Sequence, residues 1–252
     1  MTSRPILLSC CLFAACAEAG QTAVEVPLYA AGSDVGDAFP VASGVPVTLA
    51  RAELAFGPLY LCAGSQAGQL CDTARLEWLE STIVDLLDSQ ARTAGELVGV
   101  TGRVRSYMYD LGLTSVLTQA NPLVLPAAEE LGGVSIVLEG SADVAGVAVP
   151  FSAAVPIQQT TETELGAPVI RKRSDETFAH EVTQGEPGLL LEFDPRPLLE
   201  NVDFAALIAE QGDACAVGCE APLRIQPDTQ AYRAIRNAAF GARPRFTWGF
   251  LP

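Results

Sequence analysis

The chain has 252 residues, with 30 acidic against 15 basic side chains, and its formal net charge is −15. Proteins bind nucleic acid through clustered Lys and Arg side chains that neutralise phosphates, so this charge balance argues against a nucleic-acid partner. Hydrophobic residues make up 49% of the chain, which is enough for a sizeable core in one β domain or two smaller ones.

A short apolar run from Pro5 to Ala15 follows Arg4 at the N-terminus. It is shorter than the roughly 20 apolar residues that a membrane-spanning helix needs. One positive charge, a short apolar stretch and then small residues are typical of a cleavable secretory signal. We therefore expect an exported protein.

The stretch Phe13-Ala14-Ala15-Cys16 resembles the lipobox of bacterial lipoproteins. The resemblance implies that the Cys16 thiol receives a diacylglyceryl group and that residues 1–15 are removed as a signal peptide. Ala17 after the modified cysteine resembles lipoproteins sent to an outer membrane, where they face the periplasm or the cell surface. Residues 16–22 then form a lipidated tether, the expected contact with the membrane. The alternative is an ordinary secretory signal, which would release a soluble protein.

Many short segments of β character follow, so residues 23–252 are expected to form a single, mainly β domain. Regularly spaced short strands favour an antiparallel β-sandwich or barrel-like domain over alternating βαβ units. Ile136 and Leu138 share one face of a strand that is expected to form a hairpin through a turn at 143–146. The predicted strands are Val24–Tyr29, Val45–Ala50, Leu54–Leu61, Thr82–Leu87, Val104–Leu113, Val134–Glu139, Val147–Ile157 and Leu189–Phe193.

One early turn, Gly32–Asp37, carries two carboxylates, Asp34 and Asp37. Calcium takes oxygen ligands from carboxylates and backbone carbonyls, so a calcium site is one hypothesis for this turn. Asp and Gly are also ordinary turn residues, and a structural turn is the other interpretation.

Four cysteines other than Cys16 remain after the predicted cleavage, namely Cys62, Cys71, Cys215 and Cys219. The periplasm and the cell exterior are oxidising, so an even number of cysteines in an exported chain favours disulfides. Three pairings are possible, and the two local ones are favoured because a Gly-containing loop joins each pair. A four-thiolate zinc site is the alternative, although the usual C-x₂-C spacing is absent.

The longest irregular segment, Gln158–Gly188, holds the one local basic spot on this acidic chain, Arg171-Lys172-Arg173. Structureless loops of this length are uncommon in compact domains and are often functional. These three residues and His180 therefore form a candidate docking loop, with a solvated loop tip as the alternative. His180 is the only histidine, so any histidine-based catalysis or metal ligation must pass through it.

Two short helices are expected near the C-terminus. The first starts near Asn201, with Gly212 placed to stop it, and the second is capped by Asp228 and ended by Gly241.

The chain closes with the alternating aromatic residues Phe246, Trp248 and Phe250. This alternation predicts a last strand of the sheet. An exposed aromatic surface that binds a ligand is the functional alternative.

The exported β-rich domain with paired cysteines, in which Trp78 precedes Val84–Asp88, resembles methanobactin-associated periplasmic copper-binding proteins. The resemblance implies copper as a possible ligand. Copper prefers nitrogen and sulfur ligands, and one histidine and, after cleavage, Met108 are few of them, so no copper ligand is assigned.

Three functions are therefore considered. The preferred one is a noncatalytic, lipid-anchored module of the bacterial cell envelope that binds an unknown protein or glycan partner and needs no cofactor. The second is a periplasmic protein that binds calcium or copper. The third is a hydrolase that uses dispersed carboxylates, because the sequence holds none of the familiar nucleophile, zinc, phosphate-loop or dinucleotide motifs.

Overall fold

The computed structural model describes residues 20–64, 71, 74–114, 123–157, 173–174, 178–211, 221–241 and 243–252, with the backbone alone at 173–174. Most of these residues lie in strands or in the turns between them, so the predicted mainly β fold is confirmed. The described helices are too short and too polar to cross a membrane. The predicted signal peptide and several candidate residues lie outside the described residues: Cys16, Arg171, Lys172, Cys215 and Cys219.

The strands and helices follow each other along the chain with short connections. In chain order the elements are β1 (Ala23–Ala31), β2 (Phe39–Pro40), β3 (Pro46–Phe56), β4 (Leu59–Cys62), β5 (Ala74–Trp78), β6 (Thr82–Asp85), β7 (Arg92–Val100), β8 (Gly102–Val104), β9 (Ser106–Tyr109), β10 (Leu113–Thr114), β11 (Leu123–Val124), α1 (Pro126–Glu130), β12 (Ile136–Val144), β13 (Val147–Val155), β14 (Arg173–Ser174), β15 (His180–Val182), β16 (Leu189–Glu192), α2 (Arg196–Leu199), α3 (Phe204–Gln211), β17 (Leu223–Ile225), α4 (Gln230–Gly241) and β18 (Arg245–Trp248).

Two large sheets contain most of the strands. The first has eight strands in the order β14-β9-β4-β5-β7-β1-β16-β18, and the second has the order β17-β13-β12-β3-β2 with β6 also paired to β3. Neighbours are antiparallel except for two parallel pairs, β1 with β16 and β13 with β17. The ribbons β10–β11 and β8–β15 complete the described pairing.

The two sheets pack through a shared hydrophobic core. In β1 the alternate residues Val24, Val26 and Leu28 are buried, as the period-two pattern of a strand with one inward face requires. Phe56 at the end of β3 crosses between the sheets, because its ring centroid lies 6.1 Å from that of Trp78 and 5.4 Å from that of Tyr109. This aromatic contact supports the predicted sandwich arrangement.

The predicted hairpin is present as β12 and β13, paired in register from Ile136↔Val155 to Val144↔Val147. The N–H of Gly146 donates a hydrogen bond to the Asp143 carboxylate at 2.8 Å. Gly146 has a φ of +84°, which glycine adopts at little cost. The turn residues therefore fix the position of the hairpin.

Two predicted strands are divided in the structure. The segment Leu54–Leu61 breaks at Gly57-Pro58, because Pro58 has no N–H for a ladder hydrogen bond and Gly57 has a φ of +113°. The segment Val104–Leu113 is divided at Arg105, where β8 leaves to pair with β15 and β9 joins the eight-stranded sheet.

The two predicted C-terminal helices are α3 and α4, and the short helices α1 and α2 were not predicted. The predicted cap of α4 was wrong. Thr229, not Asp228, precedes the first helical residue, and its Oγ1 accepts the N–H of Tyr232 at 3.1 Å. Asp228 contributes its backbone carbonyl, which accepts a hydrogen bond from Arg233 at 2.8 Å.

Candidate functional site

The C-terminal strand β18 lies at one edge of the eight-stranded sheet, antiparallel to β16, in the described part of the chain. Its side chains alternate: Arg245 and Thr247 are exposed, whereas Phe246 and Trp248 are half-buried. The aromatic residues therefore form the inner side of the strand, and the predicted last strand is present. Phe250 lies beyond the strand, and its ring meets that of Tyr29 edge-on at 5.1 Å.

Four aromatic side chains from three parts of the chain meet beside this strand, and we call them the aromatic cluster: Tyr107, Phe178, Phe246 and Trp248. The ring of Tyr107 on β9 lies 4.4 Å from that of Phe246 and 4.8 Å from that of Phe178. Phe178 also meets Phe246 at 4.8 Å and Trp248 at 6.4 Å. The cluster has a fully buried side at Tyr107 and Phe178 and a half-buried side at Trp248.

His180 covers the half-buried side of the cluster. Its imidazole lies parallel to the Trp248 indole, with ring centroids 4.3 Å apart and 8° between the planes. The Nε2 atom of His180 lies 3.1 Å from Oε2 of Glu186. An N–H at Nε2 would donate a hydrogen bond to this carboxylate.

Glu186 has few contacts with water. Its side chain is 6% exposed, compared with 29% for His180. A buried carboxylate needs a hydrogen-bond donor to offset its desolvation, and His180 provides one. In this pair, Glu186 is therefore buried, whereas His180 is partly exposed.

The indole N–H of Trp248 is a second buried polar group in the same place. Its Nε1 atom is out of contact with water and has no hydrogen-bond partner among the described residues. An unsatisfied buried donor costs on the order of 1–3 kcal/mol. A ligand that carries a hydrogen-bond acceptor would satisfy this N–H.

The backbone of the candidate docking loop reaches the same cluster. Arg173 on β14 is in register with Tyr107 on β9, and β15 begins at His180. The two candidate regions, the docking loop and the C-terminal aromatic residues, thus meet in the fold. Glu186 was missed in the sequence, where it is one of 30 acidic residues with no distinguishing spacing.

The cysteine prediction is confirmed for one pair. Cys62 and Cys71 form a disulfide, with their Cα atoms 5.6 Å apart. A disulfide leaves no thiolate for zinc at these two positions. Cys215 and Cys219 stay a predicted pair.

Among the described residues, no three His, Cys, Asp or Glu side chains are grouped to hold a metal ion, so this part of the chain does not support the metal hypotheses. In the turn Gly32–Asp37, the Asp34 carboxylate accepts the N–H of Gly36 at 2.9 Å, as in an ordinary Asx turn. Of the residues that carried the copper resemblance, Trp78 is buried in the core. Asp88 accepts a hydrogen bond at its Oδ2 atom from Nη2 of Arg92 at 2.8 Å.

A small apolar cavity lies between the sheets, away from the cluster. Its volume is about 20 Å³, which is room for one water molecule. It is lined by Leu54, Leu86, Tyr109, Leu111, Ile136, Phe193, Asp194, Leu198 and Ala239. This cavity is therefore too small for a ligand larger than water.

Comparison with known proteins does not place the chain in a family. No family model and no curated protein matches it. Among solved structures, MbnP from Methylosinus trichosporium is similar with 13% sequence identity, covering 73% of this chain and 79% of that one, at a TM-score of 0.38. MbnP is a methanobactin-associated periplasmic protein, the kind that the sequence resembles, but a likeness of this degree assigns no function.

Proposed function

We propose that this protein is a lipid-anchored, noncatalytic module of the bacterial cell envelope that binds a partner through the aromatic cluster and His180. The observation that carries the proposal is the stack of His180 on Trp248 at the edge of a sheet. Two regions selected independently in the sequence for partner binding meet there.

The side chains at this edge are of the kind that binding surfaces use. Trp and Tyr combine a large apolar area with a polar tip, and they are enriched at the centres of interfaces. Trp248 is half-buried and packs against Phe178 and His180, so it would lose little conformational entropy on binding. A rigid, partly exposed aromatic residue is a suitable anchor for a partner.

The proposed anchor joins the domain close to its central strands. Residues 16–22 would run from the lipid on Cys16 to Ala23, where β1 begins. Two acyl chains suffice for stable attachment. This arrangement would hold the domain beside an outer membrane, facing the periplasm or the cell surface.

The test is photocrosslinking in the native cell envelope, with a photoreactive amino acid at Gln184, an exposed residue two positions before Glu186, which contacts His180. Val147, which is 52% exposed on β13, provides the matched control position. We expect a defined adduct from position 184 that is lost when Trp248→Ala is added, and none from position 147. Equal labelling at both positions, or an adduct that survives Trp248→Ala, would contradict the proposal.

Native mass spectrometry of the purified full chain separates this function from metal binding. The proposed module retains no ion, whereas a stoichiometric metal mass after purification would favour the metal hypothesis instead.

A further inference from the structure

His180 occupies the surface of the proposed binding site in the manner of a ligand. It is a planar group that lies flat on the Trp248 indole and places its Nε2 atom 3.1 Å from the buried carboxylate of Glu186. Its side chain still reaches water, with 29% of its surface exposed. The platform beneath it consists of an aromatic face and a carboxylate side by side.

An arginine side chain ends in a similar planar group and offers more N–H donors. Its guanidinium is planar, carries N–H donors along its edge and stacks on aromatic rings. We infer that this site recognises an arginine side chain of a basic protein segment, which displaces His180 from Trp248 and Glu186. This inference rests on the proposed function and names the class of its partner.

The physical reason for the exchange is charge. A guanidinium is always cationic, so its hydrogen bonds to Glu186 are charge-assisted and can be bidentate, whereas imidazole offers one N–H to this carboxylate. The face of an indole also attracts cations, Arg more often than Lys. The hydrogen bonds to Glu186 gain strength because its side chain is 6% exposed and therefore weakly screened.

The whole molecule favours the same kind of partner. A formal net charge of −15 favours long-range encounter with basic segments, whereas the basic spot Arg171-Lys172-Arg173 in the candidate docking loop opposes it locally. A peptide segment also brings carbonyl oxygens, which are the acceptors that the buried Trp248 N–H lacks among the described residues. A neutral glycan would satisfy the N–H but would leave Glu186 without a cation.

The experiment uses the full chain in detergent, purified without a histidine tag, and three synthetic peptides. The peptides share serine and glycine flanks and differ in the central residue, which is arginine, its uncharged analogue citrulline, or glutamate. His180 is the only histidine, so its imidazole NMR signals report directly on the stack with Trp248. We expect the arginine peptide to bind at least about tenfold more tightly than the citrulline peptide and to move the His180 signals toward their values in water.

Two variants give opposite expected effects. Glu186→Gln removes the charge that arginine needs and should weaken binding of the arginine peptide by about tenfold. His180→Ala removes the internal competitor and should strengthen it severalfold, which a merely structural role for His180 would not do. Glu181→Gln, at the exposed neighbouring position, is the control and should leave binding unchanged.

Three results would overturn the inference: citrulline binding as well as arginine, arginine binding without a shift of the His180 signals, or His180→Ala weakening the arginine complex while its spectrum shows the native fold. In each case, a Trp248-dependent adduct at position 184 would show that the aromatic cluster still binds a partner of another class. If neither the arginine peptide bound nor the Trp248-dependent adduct formed, the proposed function would be rejected as well.

Discussion

Gly99 shows how a single residue sets the distance between two strands. It lies on β7 opposite Leu76 of β5. A Cβ atom at Gly99 would overlap the carbonyl oxygen of Arg75 and would lie 2.8 Å from its carbonyl carbon. Backbone atoms cannot rotate away as a side chain can, so strands β5 and β7 would have to separate.

We predict that Gly99→Ala lowers the free energy of unfolding by about 2 kcal/mol, in the range of overpacked cores. Urea denaturation followed by circular dichroism would measure this. Gly241→Ala is the matched control, because nothing lies within 4 Å of its added Cβ, and it should be neutral or slightly stabilising. Equal stability of the two variants would show that β5 and β7 are not packed as closely as described.

The pKa of the Asp88 carboxyl group lies below its ordinary value. The backbone N–H of Gln90 lowers the pKa of Asp88 most, and the side chain of Arg92 lowers it further. A folded-state pKa below the unfolded value means that this carboxylate adds stability above the unfolded pKa. That contribution is lost as the pH falls through the folded pKa.

We predict that Arg92→Ala raises the pKa of Asp88 only part of the way to its ordinary value, because the Gln90 N–H remains in place. Carboxyl carbon NMR shifts followed from pH 7 downward would show this. Arg233→Ala, at an exposed position of helix α4, should leave the titration unchanged. A complete return to the ordinary Asp pKa would mean that Arg92, not the backbone, holds the carboxylate.

In the candidate site, single residues could be predicted from the sequence, but the contacts between them could not. His180 was a candidate because it is the only histidine, and Trp248 because it alternates with two other aromatic residues. The stack between them depends on the β8–β15 ribbon meeting β18 at the edge of the eight-stranded sheet. No local spacing encodes such a contact, and for the same reason Glu186 could not be distinguished from other acids.

At the scale of elements, the first turn of α4 tests how a helix begins. The Oγ1 of Thr229 accepts the Tyr232 N–H and donates to the Gln226 carbonyl at 2.7 Å. We predict that Thr229→Ala lowers the free energy of unfolding by about 1 kcal/mol. Thr229→Ser should lower it much less, because the serine hydroxyl can make the same cap. Thermal or urea denaturation would measure both.

Asp228→Ala is the matched control for this cap. The contact of Asp228 with Arg233 uses its backbone carbonyl, which the substitution leaves in place, so we expect almost no change in stability. If Asp228→Ala proved as destabilising as Thr229→Ala, the side chain predicted from the sequence would be the cap after all.

Some elements were predictable from their local pattern and others were not. The hairpin β12–β13 combines apolar alternation with a recognisable Asp-x-x-Gly turn, so pattern and turn chemistry agree. Strand β7 was missed, because Leu97 is its one fully buried side chain and two glycines interrupt the pattern. It is a strand because β1 and β5 pair with it on both sides. Tertiary pairing determined this element, and the local sequence did not.

At the scale of the whole molecule, the net charge bears on the proposed attachment to a membrane. A net charge of −15 repels anionic lipid head groups, so the folded domain has no electrostatic attraction to a bilayer. The described helices do not cross a membrane. Membrane association would then depend on the proposed acyl groups at Cys16.

We predict that Cys16→Ala moves the protein from the membrane fraction to the soluble fraction of the cell envelope. Each buried CH₂ contributes about 0.8 kcal/mol, so loss of two acyl chains removes far more binding energy than any other expected contact supplies. Cys10→Ala and Cys11→Ala are matched controls, because both cysteines lie within the predicted signal and should leave fractionation unchanged. The circular dichroism spectrum of the soluble Cys16→Ala protein should be that of the same β-rich domain, because β1 begins only at Ala23. If that variant still sediments with membranes and carries lipid, the lipobox assignment is wrong and the anchor must be sought elsewhere in the chain.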